Sequence, residues 1–137
     1  MARYLVVANQ TLGGEHLLAE MRRRSDADPG ASFHLLVPAT PPDLFTFRTE
    51  GGALAVAEQR LQRAMRLLDT LGVELTGAVG DQEPLGAISD ALREADYDAI
   101  ILSTLPVGVS RWLGMDLPSR VERSVPVPVT HVVGDAV

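Results

Sequence analysis

The chain has 137 residues, 46% of them hydrophobic and 22% charged, which suits one folded domain with its own core. Its 12 basic residues against 18 acidic ones give a formal net charge of -6, so it repels nucleic-acid phosphates and anionic membrane surfaces. It contains neither lysine nor cysteine, which excludes Schiff-base chemistry, a phosphate-loop lysine, disulfides, thiolate nucleophiles and cysteine-held metals.

No apolar stretch approaches the roughly 20 residues of a membrane span. The run Tyr4–Ala8 follows Arg3 directly, without the apolar region or cleavage site of a signal peptide, so a cytoplasmic location is expected.

Tyr4–Ala8 (YLVVA) is short, apolar and β-branched, and reads as a strand buried on both faces. Gly13-Gly14 turns into a helix carrying Leu17, Leu18 and Met21. Arg22–Arg24, the only basic run, falls near that helix's C-terminus, where cations complement the dipole. Asp28-Pro29-Gly30 is a turn, and Phe33–Val37 is a second buried strand. From Pro38 to Gly52 prolines and glycines punctuate the longest loop, in which Phe45, Phe47 and Arg48 could form a lid or an anchor to the core. Leu54, Ala57, Leu61, Met65, Leu68 and Leu71 then recur at helical spacing, with Arg60, Arg63 and Arg66 off the stripe. Gly72 closes this helix where left-handed backbone is usually needed.

Val73–Val79 gives a third strand. Asp81 is placed to cap a helix with Glu83 and Pro84 in its first turn and Leu85, Ile88, Leu92 and Ala95 on one face. Asp96-Tyr97-Asp98 leads into a fourth strand, Ala99–Ser103. A loop from Thr104 to Met115 precedes Asp116, an N-cap for a short helix through Arg123. Pro126–Val133 is the last strand, and its prolines restrict it to a strand start or a sheet edge.

Alternating β-α units with unbroken apolar strands predict an α/β fold, a five-stranded parallel sheet with helices on both faces, and right-handed crossovers restrict it to a few doubly wound forms, of which the order 3-2-1-4-5 is expected. No repeat or internal boundary divides residues 1–137, which read as a single domain.

Ligands of open α/β sheets bind beyond the carboxyl ends of the strands where strand order reverses, here between strands one and four. Asn9-Gln10-Thr11 and the loop Ser103–Gly114 follow those strands. The second loop offers hydroxyls, two glycines, Arg111 and Trp112, and its N–H groups with Arg111 would suit an anion such as phosphate. It reads equally well as a connector with Trp112 in the core and Arg111 in water. His16, His34 and His131 are too scattered for a metal set. Gly108-Val109-Ser110 begins like a nucleophile elbow, yet Trp112 stands where the second glycine is needed. No residue stands out as a general base, so enzymatic turnover is not expected.

Gly80-Asp81, Ile88, Ala95–Ser103 (ADYDAIILS) and Pro126–Val129 (PVPV), in that order, resemble the second half of a universal stress protein domain. The first strand with its polar turn and the long second helix match the first half. The resemblance covers essentially the whole chain and implies the adenine nucleotide alpha hydrolase-like form of the fold. Nucleotide-binding members of that family carry an acidic residue after strand one and a loop G-x2-G-x9-G-[ST]. Here Asn9 stands at the acidic position, Ser103 and Pro106 at the first two glycines, Gly114 at the third and Met115 at the hydroxyl. Asn9 is neutral and both donor and acceptor, while Pro106 has no N–H to offer.

The resemblance therefore implies a stress-response domain, regulatory or protective, without turnover and with a degenerate nucleotide-binding loop. The alternative is an ATP- or AMP-binding switch or slow ATPase. Candidate nucleotide contacts are Asn9, Thr11, Val37, Ser103, Thr104, Gly108, Ser110, Arg111 and Gly114, with Gly108–Arg111 as a substitute anion nest. A homodimer through the last strand is also implied. Physically, an unpaired edge at Val127–Val133, apolar on both faces, invites another chain to cover it.

Overall fold

Strands and helices alternate along the chain in the computed structural model, which describes residues 1–40 and 50–135, with side chains from residue 52 onward in the second segment. The elements are β1 (Arg3–Val7), α1 (Glu15–Ala27), β2 (Ser32–Pro38), α2 (Glu50–Leu68), a 3-10 turn (Asp69–Leu71) and β3 (Glu74–Gly80). There follow α3 (Pro84–Glu94), β4 (Ala99–Thr104), α4 (Arg111–Gly114), α5 (Leu117–Ser124) and β5 (Val129–Val133). All strand pairs are parallel, in the predicted order β3-β2-β1-β4-β5. Tyr4 of β1 lies opposite Phe33 on one side and Ala99 on the other, and Val7 lies between Leu36 and Leu102.

Because side chains alternate along a strand, this register sorts the apolar residues into two layers. Tyr4, Val6, Phe33, Leu35, Val37 and Ile101 pack on one face against Leu17 and Met21 of α1 and Ala57, Ala64 and Leu68 of α2. Leu5, Val7, Leu36, Ile100 and Leu102 pack on the other against Ala87, Ile88 and Ala91 of α3 and Leu117 and Val121 of α5. Burying one such Leu, Ile, Val or Phe side chain contributes about 1.5–3 kcal/mol, so these central strands carry most of the core.

Polar contacts fix the strand ends. The Ala2 N–H donates to Asp28 at 2.6 Å and the Arg3 N–H to Asp98 at 2.7 Å, so both aspartates act as turn residues. Arg24 lies over the Tyr4 ring, 5.2 Å from its centroid, and donates to Thr130 Oγ1 at 2.8 Å, tying α1 to β1 and β5.

Several boundaries differ from the sequence reading. α2 begins at Glu50, so the last residues of the expected Pro38–Gly52 loop are helical, while Phe45, Phe47 and Arg48 lie outside the described residues. Leu54 is 43% exposed and Ala53 takes the buried position beside it, because the helix turns its small residues toward the sheet. Asp81 does not cap α3. Glu83 does, accepting from the Gly86 N–H at 2.6 Å, since Pro84 takes the first helical position, where no N–H is required. Asp116 occupies the N-cap of α5 with φ 54° and no side-chain bond. The last strand starts at Val129 rather than Pro126; only the Pro128 carbonyl joins the ladder, accepting from the Ile100 N–H at 2.9 Å. Gly72 has the expected left-handed backbone, φ 69°.

α3 sits close against the end of β3. A methyl group on Gly80 would lie 2.8 Å from the Cβ of Ala87 and 3.0 Å from Leu36 Cδ1. Ala87 cannot rotate away, so the helix itself would have to move. Gly80→Ala should therefore lower stability by about 1–3 kcal/mol. A urea titration checks this through a lower midpoint at unchanged slope; an unchanged midpoint would show that α3 is loosely seated.

Candidate functional site

β1 hands the chain to α1 on one face of the sheet, and β4 hands it to α4 and α5 on the other, so the two connections diverge and leave a cleft. Asn9, Gln10 and Thr11 line it from β1, Thr40 from β2, Ser103, Thr104 and Leu105 from β4, and Ser110, Arg111 and Trp112 from the start of α4. It encloses about 30 Å3, room for a water or two. Among the described residues five hydroxyl side chains and one guanidinium line it, and no carboxylate does.

The polar groups of this cleft largely face each other. Asn9 is 7% exposed, and its Nδ2 donates to the carbonyls of Pro38 at 2.8 Å and Thr40 at 3.4 Å. Its Oδ1 accepts from Arg60 Nη1 of α2 at 2.5 Å. An aspartate here would set a carboxylate against two carbonyl oxygens, so the amide is what lets one side chain join β1, the end of β2 and α2. Thr11 and Ser103, both almost fully buried, share a hydrogen bond of 2.6 Å across the cleft floor. Thr40 donates to the Gln82 carbonyl at 2.6 Å. Among the described residues no buried side-chain nitrogen or oxygen lacks a partner.

Thr104 donates its hydroxyl hydrogen to the Leu105 carbonyl at 2.9 Å and lies 2.8 Å from His131 Nε2. With that hydrogen spent, the imidazole must be the donor, so Nε2 carries the proton. Burial pushes the His131 pKa below its ordinary value of 6.5, against the upward pull of Glu122. Burial and then the Arg3 charge push His34 the same way, while Glu94 opposes them; its Nδ1 lies 2.7 Å from Thr76 Oγ1.

The loop after β4 folds on itself. Gly108 adopts φ 94°, and the N–H groups of Val109 and Ser110 both donate to the Pro106 carbonyl, at 3.2 and 3.0 Å. Ser110 then caps α4, accepting from the Leu113 N–H at 3.1 Å. Two N–H groups of the expected Gly108–Arg111 anion nest are thus already bonded. Beside the cleft lies a second, more open lobe of about 210 Å3, bounded by Thr40, Gln82, Glu83, Pro84, Arg111 and Met115. Arg111 and Thr40 belong to both.

Of the residues singled out from the sequence, Asn9, Thr11, Ser103, Thr104, Ser110 and Arg111 meet at the cleft. Val37 does not: it faces α1 and α2 and is fully buried in the core. Gly108 lies on the exposed loop and Gly114 at the end of α4, and neither lines the cleft. Trp112 meets both readings of its loop, being 6% exposed in the core and lining the cleft. Thr40 and Arg60 were not anticipated. Thr40 sits in a Pro-rich stretch without periodicity, and Arg60 is one of three arginines spaced alike along α2, so no sequence signal marks either. Among the described residues no three His, Asp or Glu side chains converge as metal ligands, and no helix is long and apolar enough to cross a membrane.

A universal stress protein family protein from Arabidopsis thaliana with AMP bound superposes with a TM-score of 0.68 at 10% identity, covering 99% of this chain and 94% of that one. The universal stress protein from Archaeoglobus fulgidus in complex with dAMP gives 0.66 at 19% identity, covering 96% of this chain and 97% of that one. The fold is that of the universal stress proteins. GalB, the 4-carboxy-2-hydroxymuconate hydratase from Pseudomonas putida, also superposes, with a TM-score of 0.52 at 17% identity over 99% of this chain and 63% of that one. The fold alone thus does not fix an activity. No family model matches the sequence, and no curated protein matches it closely.

The two lowered histidines give stability a pH dependence with a definite sign. Both favour the neutral ring when folded, so the unfolded chain binds the extra protons as pH falls through 6.5. Their contribution is complete above that value and is lost below it. The melting temperature should fall between pH 7.5 and 5.5, and a His34→Gln/His131→Gln variant should show a shallower fall over the same interval. Parallel curves for the two proteins would contradict this account.

Proposed function

We propose that this chain is a universal stress protein-like regulatory or protective domain that works without enzymatic turnover and whose nucleotide cleft has become self-contained. One observation carries the reading: the side chains placed to meet a ligand are bonded to each other. Asn9 holds two carbonyls and Arg60, Thr11 holds Ser103, and Ser110 holds its own helix. Small-molecule pockets usually enclose about 300–1,000 Å3, whereas this cleft encloses about 30 Å3. Pro106 in the loop adds no N–H donor.

A second reading, an ATP- or AMP-binding switch or slow ATPase, draws on the AMP and dAMP complexes of the two structural neighbours. The open lobe shared by Arg111 and Thr40 would be its entry. Calorimetric titration of nucleotide-stripped protein with AMP and Mg-ATP separates the two. A ligand at about 100 times its dissociation constant would raise stability by roughly 2.7 kcal/mol, so thermal melting gives an independent readout. The first reading expects no heat and no melting shift up to millimolar nucleotide. Micromolar binding abolished by Ser110→Ala/Arg111→Ala would establish the second.

The same reading includes a homodimer through β5. This outer strand carries no carboxylate and no arginine, Val133 on it is 44% exposed, and its outer backbone edge has no strand partner among the described residues. Sedimentation should give twice the chain mass, and Val133→Arg should shift it toward monomer. A monomer at all concentrations would remove this part of the reading.

A further inference from the structure

The opposite edge of the sheet has different chemistry. β3 is the other outer strand, and along it Glu74, Thr76 and Ala78 are exposed while Leu75 and Val79 pack toward α2. α3 directs its buried residues onto β1 and β2 and touches β3 at the Gly80–Ala87 contact. Among the described residues this leaves a groove of about 240 Å3 between β3 and α3. Its floor is made of small residues, Ala78, Gly80, Ala87 and Ala91, with His34 and Leu36 at the back.

The rim of that groove is acidic: Asp81, Asp90 and Glu94. Arg93 pairs with Asp90, but neither Asp81 nor Glu94 has an ion-pair partner among the described residues. Arg3, the other cation nearby, stacks on Tyr97, 5.3 Å from the ring centroid. A second copy of the chain would set the same three carboxylates against each other, so self-pairing is disfavoured here, unlike at β5. Nucleic acid and anionic membrane are disfavoured by the same charges.

We propose that the β3 edge with its groove is a docking site for an extended, arginine-bearing segment of another protein, added to the sheet as a sixth strand. The backbone of β3 would supply the ladder bonds, the Ala/Gly floor would admit the close approach of a strand and its inward side chains, and the carboxylate rim would hold the arginines. At the centre of this edge Gly77-Ala78 carry no large side chain to block a pairing strand. This inference is independent of whether the cleft binds nucleotide.

The test is fluorescence anisotropy with a labelled octapeptide of alternating arginine and valine, titrated with the full chain. Saturable binding is expected, weakened about tenfold or more in an Asp81→Asn/Asp90→Asn/Glu94→Gln variant whose melting curve shows it folded. N-methylation of alternate peptide nitrogens should abolish binding, which charge attraction alone would survive. Ala78→Arg, which sets a cation on the edge itself, should have the same effect as the triple variant. The proposal is overturned by no saturation up to millimolar peptide, by equal affinity of the triple variant, or by equal affinity of the methylated peptide.

Discussion

The pairing of β1 with β2 on one side and β4 on the other is the constraint from which the other features descend. Parallel strands need crossover connections, and right-handed crossovers carry successive helices to one face of the sheet until the winding direction changes. That change occurs at β1, with α1 and α2 on one face and α3 to α5 on the other. Two consequences follow at once. The central strands are covered on both sides: all six residues of β4 are buried, four of them apolar and the last two, Ser103 and Thr104, hydrogen-bonded at the cleft. The connections leaving β1 and β4 must part, so a cleft opens there whatever residues line it.

This logic explains which parts of the molecule were legible in the sequence. Apart from the Tyr4 hydroxyl and the closing Ser103, YLVVA and AIILS have no polar group to turn outward, and that is the signature of strands covered by helices on both faces. Those two strands and the alternation of elements point to a doubly wound parallel sheet, and once its order is 3-2-1-4-5 the position of the cleft follows. Local chemistry was less readable. Glu83 rather than Asp81 caps α3, because Pro84 fixes where the helix begins. Arg60 reaches Asn9 across 51 residues of sequence, and a contact of that span leaves no periodic trace. Val37 was a candidate nucleotide contact, yet the pleat turns it toward α1 and α2.

The polar groups of the cleft join neighbouring elements of the fold. An amide at position 9 can serve two carbonyl acceptors and one guanidinium donor together, and a carboxylate cannot. The Thr11–Ser103 contact likewise joins the loops that the topology drives apart. Buried hydroxyls left without partners would each cost about 1–3 kcal/mol, so their mutual satisfaction stabilises the seam. The two outer strands differ in chemistry, one without a carboxylate or arginine, the other lined by small residues and carboxylates.

The register of β1 also bears on the making of the protein. Its bonds to β2 join residues about one crossover apart, Tyr4 with Phe33, while its bonds to β4 join Tyr4 with Ala99. Chain emerging from the ribosome can assemble β1, β2 and β3 with their helices long before the second partner of β1 exists. Any fragment that stops short of Ala99 leaves one edge of its most deeply buried strand unpaired, and closing that edge requires the long-range contacts that form slowly.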